Sequence, residues 1–187
     1  MHRTSDTPWS VTLDYSRDLA LALAVREAVG CADPLGLPPV DPPVAVSVLP
    51  AERRDPTLTQ QWHAWWTGAM AAPGHGSRPA PQVDGPLGAV LRRNSDVLLP
   101  WSAARKRELA ASSRAVPGRP RIRLADALRE AGVRDREFHL TVLAAPVGLP
   151  VFHPVGGSVI LAGLELVRDR SAYVTALVDH LTGYGPA

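Results

Sequence analysis

Residues 33–50 read Asp-Pro-Leu-Gly-Leu-Pro-Pro-Val-Asp-Pro-Pro-Val-Ala-Val-Ser-Val-Leu-Pro, with six prolines in eighteen positions. No regular helix survives that density, because each proline fixes φ, removes an N–H donor and biases the preceding residue away from the α region. The first part is therefore expected to run extended or polyproline-like, and Val44-Ala45-Val46-Ser47-Val48-Leu49 to form a short edge strand. The stretch Pro38-Pro39-Val40-Asp41-Pro42-Pro43 has two readings, a docking segment for an aromatic groove or a rigid connector on the surface. We adopt the connector.

On either side of this segment the chain turns helical. Ser16 or Asp14 can cap a helix over residues 17–29, with Gly30 as its stop. Leu19, Leu21, Ala22, Leu23, Val25 and Ala28 wrap most of that cylinder, which predicts burial on several sides. Asp55-Pro56 opens a second helix, Asp as N-cap and Pro at the first helical position. In it Leu58, Trp62, Trp65, Trp66, Ala69 and Met70 recur at spacings of three and four and share one broad stripe. Three indoles on a stripe are either a core anchor, each N–H finding a carbonyl or water, or a partner-binding face, since Trp is enriched at interaction hot spots. Residues 87–99 read as a helix that kinks or ends before Pro100, with Ser102 restarting a helix through residue 111. Residues 124–131 form another that stops at Gly132.

The last third changes character. Residues 137–143 alternate with β-branched and aromatic content and predict a strand and residues 157–161 a second, joined either as a long hairpin or through a third short strand near Val151–His153. Asp169 caps a closing helix whose inner stripe is Ala172, Tyr173, Ala176, Leu177, His180 and Leu181. The fold class expected is α+β, with helices packed around a small, mostly antiparallel sheet formed largely by the C-terminal third. A chain of 187 residues, 45% apolar, is expected to be one globular domain over residues 1–187. Within it residues 1–9 are a flexible tail, 33–50 the proline-rich connector, 73–86 a flexible Gly/Pro/Ser/His loop, and 137–187 a strand-loop-strand-helix unit.

Charge is unevenly placed. Residues 92–136 carry twelve of the twenty basic groups against five acidic ones, a local +7 in a chain whose formal total is +2. Such asymmetry says where an anionic partner is attracted. On the helix from Ser102, the consecutive Arg105, Lys106 and Arg107 fan over about 200° of surface. Arg119, Arg121 and Arg123 alternate, so an extended backbone there points all three one way, and they are the best anion-binding candidates in the chain. No aromatic residue interleaves them for base stacking. Basic residues are nineteen Arg to one Lys, Lys106, a bias that fits codon usage in a high-GC bacterial genome.

Tests for chemistry mostly fail. Histidines stand at 2, 63, 75, 139, 153 and 180 without a His-Glu-x-x-His spacing or paired cysteines. His139, His153 and His180, on neighbouring strands and the helix over them, are the one metal or catalytic grouping the pattern allows, with Glu137 or Glu165 as a base. Gly-x-Ser-x-Gly is absent, and Ser158 leads into a strand rather than sitting on a strand-to-helix elbow. Cys31 follows a helix C-terminus, where the macrodipole raises a thiol pKa. Gly74-His75-Gly76-Ser77-Arg78 can form an anion nest but lacks the phosphate-loop spacing. The longest apolar run, residues 19–25, is seven residues, far short of the roughly 20 that cross a bilayer. No leader-like apolar stretch follows Met1, and a lone cysteine fits a reducing cytoplasm.

The function expected is therefore a non-enzymatic cytoplasmic component that docks to a protein partner, acidic by charge, with no cofactor. Its contact residues are Arg105, Lys106, Arg107, Arg119, Arg121, Arg123, Trp62, Trp65 and Trp66. A nucleic-acid or polyanion binder is the alternative, and a hydrolase-like enzyme with a His-lined site the second.

Overall fold

The computed structural model describes residues 9–71, 83–114, 120–132 and 137–183. Among them, strands and helices follow in the order β1 (Trp9–Asp14), α1 (Arg17–Arg26), α2 (Pro50–Arg53), α3 (Pro56–Ala71), α4 (Gly85–Arg93), α5 (Ser95–Arg114), α6 (Pro120–Glu130), β2 (Phe138–Ala145), β3 (Phe152–Gly156), β4 (Val159–Gly163), α7 (Leu164–Arg168) and α8 (Arg170–Gly183). This is an α+β fold with three of its four strands in the last third. Of the expected tail, residues 1–8 lie outside the described residues, and Trp9 is not part of a tail: it is 6% exposed and opens β1.

The sheet order is β1-β2-β4-β3. β1 and β2 run parallel, as do β2 and β4, and only β3 and β4 are antiparallel, so the sheet is mixed rather than mostly antiparallel. The reason lies in the order of insertion. The third short strand is present as β3, and it forms a hairpin with β4 across a turn at Gly157-Ser158 with positive φ at Gly156 and Gly157. β4 lies between β3 and β2, antiparallel to the first and parallel to the second. β2 is consequently buried on both faces along Val142-Leu143-Ala144-Ala145, all at 0% exposure, the unbroken apolar run of a strand covered on both sides.

Alternation divides the core in two. Leu143, Ala145 and Leu161 face one cluster, built on α1, α3, α4 and the proline-rich segment. Leu140, Val142, Ala144, Ile160 and Ala162 face the other, built on α6, α7, α8 and Leu109 of α5. α1 is buried at every position from Leu19 to Arg26, and the Ser16 hydroxyl accepts from Leu19 N at 3.2 Å as its cap. Asp55 caps α3 through Thr57 N at 2.9 Å, and Asp169 caps α8 through Ala172 N at 3.0 Å. The expected break before Pro100 falls instead at Asn94; Pro100 sits inside α5.

The proline-rich segment is pinned rather than loose. The buried Asp33 carboxylate pairs with Arg26 and accepts from Leu35 N at 2.9 Å and Leu37 N at 3.1 Å, while Arg26 also donates to Pro38 O at 2.9 Å. Further on, Asp41 N donates to Pro146 O at 3.0 Å and Trp101 Nε1 donates to Pro42 O at 2.9 Å. The expected edge strand at residues 44–49 is not a strand. Its Ser47 pairs with a side chain: the Asn94 amide accepts from Ser47 N at 2.8 Å and donates to Ser47 O at 3.0 Å. One asparagine supplies both bonds that a neighbouring strand would have made.

Candidate functional site

All three indoles of α3 belong to the core. Trp62, Trp65 and Trp66 are 0%, 8% and 4% exposed. Trp62 donates to Ala22 O at 2.8 Å and stacks on Trp66 at 5.4 Å between centroids. The core-anchor reading of the stripe holds, with Trp65 also lining a cavity. Trp65 departs from expectation in one respect, since its buried Nε1 has no hydrogen-bond partner among the described residues.

The three consecutive cations of α5 separate as their fan predicts. Arg105 is buried, 9% exposed, and pairs with Glu108, which also accepts from Arg168 of α7 at 2.8 Å; Arg168 in turn pairs with Glu165. Beside it the Tyr15 hydroxyl meets Ser102 Oγ at 3.2 Å. Burial pushes the Tyr15 pKa up to about 12, against the opposing pull of the Ser102 bond and the Arg105 charge. Arg105 thus belongs to a network joining α5 to α7 and is removed from the contact list. Lys106 and Arg107 are exposed, and neither has an acidic partner among the described residues. Leu99, 45% exposed, and the exposed Ala103 lie on the same side of α5 as Lys106, at spacings of four and three.

Arg121 and Arg123 fall in the first turn of α6. Positions two apart on a helix are about 200° apart around its axis, so the extended backbone that would align them is absent. Arg119 and the nest at Gly74-His75-Gly76-Ser77-Arg78 lie outside the described residues.

The three histidines are only partly brought together. His139 and His180 both line a hollow of about 310 Å³ at one end of the sheet, with Glu137 and Ser158. His180 packs edge-on to Phe152 at 5.7 Å, whereas His153, the next residue along β3, points to the opposite face. Among the described residues no group of three His, Cys, Asp or Glu is placed to hold a metal ion. Burial holds the His180 pKa below its ordinary value. His139 Nδ1 meets Ser10 Oγ at 2.9 Å, a serine–histidine pair that sequence spacing does not reveal because 129 residues separate the two. They are partners in the parallel register of β1 and β2, and the bond is what two polar side chains on one face of adjacent strands make. Burial raises the pKa of the Cys31 thiol, which leaves it a poor nucleophile.

A second cavity, about 500 Å³, opens between α1, α3, α4 and α5. Leu21, Trp65, Val83, Leu91 and Leu98 form its apolar walls, and Asp84, Arg92 and Ser95 line it as exposed polar groups. A volume and lining of this kind are those of small-molecule pockets. Sequence periodicity misses it because the walls come from four separate elements. No protein-family model matches this chain, and it matches no curated protein and no solved structure.

Proposed function

We infer that the protein is a non-enzymatic, cytoplasmic docking component whose contact face is the exposed side of α5, and that its partner presents an acidic segment with an apolar residue. The observation that supports this is the juxtaposition on one helix face of Leu99 and Ala103 with Lys106 and Arg107, two cations without acidic partners among the described residues. Some other surface cations do have a carboxylate partner within the chain, as with Arg93 and Glu52 at 2.5 Å and Arg129 and Asp126 at 2.6 Å. Unanswered cations beside exposed apolar side chains favour a complementary anionic surface, and set its approach rate and orientation more than its affinity.

The test is a photo-crosslinking amino acid placed at Ala103 in the cell that makes the protein. A discrete crosslinked protein, carrying an acidic segment at the junction and lost in Lys106→Glu/Arg107→Glu, is the expected result. The same probe at Thr175, exposed on α8, should capture nothing comparable. Crosslinks to nucleic acid, or a product that survives the charge reversal, would overturn the reading.

A further inference from the structure

We propose that the cavity between α1, α3, α4 and α5 binds a small apolar zwitterion, a free amino acid with a large apolar side chain. The case begins at the N-terminus of α4. Asp84 is the N-cap residue, yet its side chain makes no capping hydrogen bond. Gln61 of α3 does that work instead, its Oε1 accepting from Leu87 N at 3.0 Å. An aspartate at this position ordinarily spends its carboxylate on the N2 or N3 amide; here it is released and lines the cavity.

The opposite charge stands at the other end of the same helix. Arg92 lines the cavity too, and its guanidinium folds back toward Gly88: Nη1 lies 3.1 Å from the point a Cβ on Gly88 would occupy. The same point is 1.7 Å from Val83 O, so the guanidinium comes back to the carbonyl of the residue that precedes Asp84. Asp84 and Arg92 form no ion pair with each other or with any other residue among those described. An ammonium and a carboxylate on one carbon can take a charge-assisted hydrogen bond from each of two opposite charges on one cavity wall. A simple fatty carboxylate would answer Arg92 but face the Asp84 charge, and an amine the reverse. Only a molecule with both charges satisfies the two.

Behind the charged pair the wall is apolar. Leu21, Trp65, Leu91 and Leu98 provide the surface for a branched or aromatic side chain. Gly88 keeps the floor open, since any Cβ there would fall 1.7 Å from Val83 O.

The experiment is calorimetric titration of the full chain with L-phenylalanine, L-leucine, N-acetyl-L-phenylalanine, phenylethylamine and L-alanine. Saturable binding of the first two is expected, with the acetylated and decarboxylated analogues and alanine each weaker by about tenfold or more, the loss of one charge-assisted bond or of the apolar body. Asp84→Asn and Arg92→Gln, both surface changes, should each weaken L-phenylalanine by about tenfold or more while leaving the melting temperature unchanged. Lys106→Glu/Arg107→Glu should leave the titration unaltered, so this site stands or falls apart from the docking face. Absence of saturable heat up to about 10 mM ligand, equal binding of N-acetyl-L-phenylalanine, or indifference to both single variants would overturn the proposal.

Discussion

Asp33→Ala should remove about 3–5 kcal/mol of stability, the range for stranding one member of a buried ion pair. The size follows from what the carboxylate holds. Asp33 and Arg26 are 9% and 5% exposed, and Asp33 also accepts the Leu35 and Leu37 N–H groups at 2.9 and 3.1 Å. With alanine there, the Arg26 guanidinium keeps only Pro38 O at 2.9 Å and the exposed Glu27 at 3.6 Å, and the buried Leu37 N–H loses its acceptor. Arg26→Met/Asp33→Ala strands no charge, so its cost should fall short of the summed singles by roughly 1–3 kcal/mol. Urea unfolding followed by tryptophan fluorescence and far-ultraviolet circular dichroism reads both quantities. At a slope of about 2 kcal/mol per molar, a loss of about 4 kcal/mol lowers the midpoint by about 2 M. A drop of less than about 0.5 M for Asp33→Ala, or additive singles, would refute the view that this pair fastens the proline-rich segment to α1.

Arg105→Ala should lower the melting temperature by several degrees, through about 1–3 kcal/mol of lost packing and pairing, while Lys106→Glu/Arg107→Glu leaves it unchanged; equal effects would mean the buried and exposed assignments are wrong. His180 should titrate below 6.5 by NMR because burial disfavours its charged form. Its folded pKa being depressed, the stability from the neutral ring is complete above the unfolded value and declines as pH falls through and below about 6.5; in a His180→Gln variant that part of the acid-side decline should vanish. Tyr15 and Tyr173, pushed up to about 12 by burial, should each be only about one-tenth ionised at pH 11 in the folded protein. Their stability contribution is present below about pH 10 and is lost as pH rises toward the folded value. Cys31, buried and with a raised pKa, should react with a thiol reagent at pH 8 only on unfolding; prompt reaction of the native protein would contradict its burial.

Elements whose cues are local were legible in the residues. Ser16, Asp55 and Asp169 cap the helices expected of them, Gly132 stops α6 at a φ of +70°, and the stripe on α3 is buried as its spacing requires. What escaped depends on partners distant in sequence. β1 carries a clean alternation, Trp9, Val11 and Leu13 facing the core against Ser10, Thr12 and Asp14, but six residues beside a polar stretch read equally well as a loop until β2 pairs with them. Residues 44–49 have strand composition and no strand, because Asn94 rather than another chain segment met their backbone. Pro100 looked like a helix boundary, yet the actual break at Asn94 is set by that same side chain, which also donates to Val90 O at 2.8 Å. The site was less legible still. Asp84 and Arg92 are unremarkable until Gln61 takes over the cap, and Arg105 is indistinguishable from Lys106 and Arg107 until α7 packs against it.

The parallel pairing of β1 with β2 also fixes a schedule for synthesis. Ser10 cannot meet His139 until 129 further residues have been made, roughly 6–26 s at typical elongation rates. Through that interval the Trp9, Val11 and Leu13 side of the strand has no sheet to complete it. The two caps and the Trp-bearing helix can form early, from contacts close in sequence, whereas the sheet must wait for the last third and close over a long loop. Chains halted before residue 138 should therefore be held by chaperones or aggregate, whereas those released after residue 183, with α7 and α8 present to cover the sheet, should fold to a sheet-containing state.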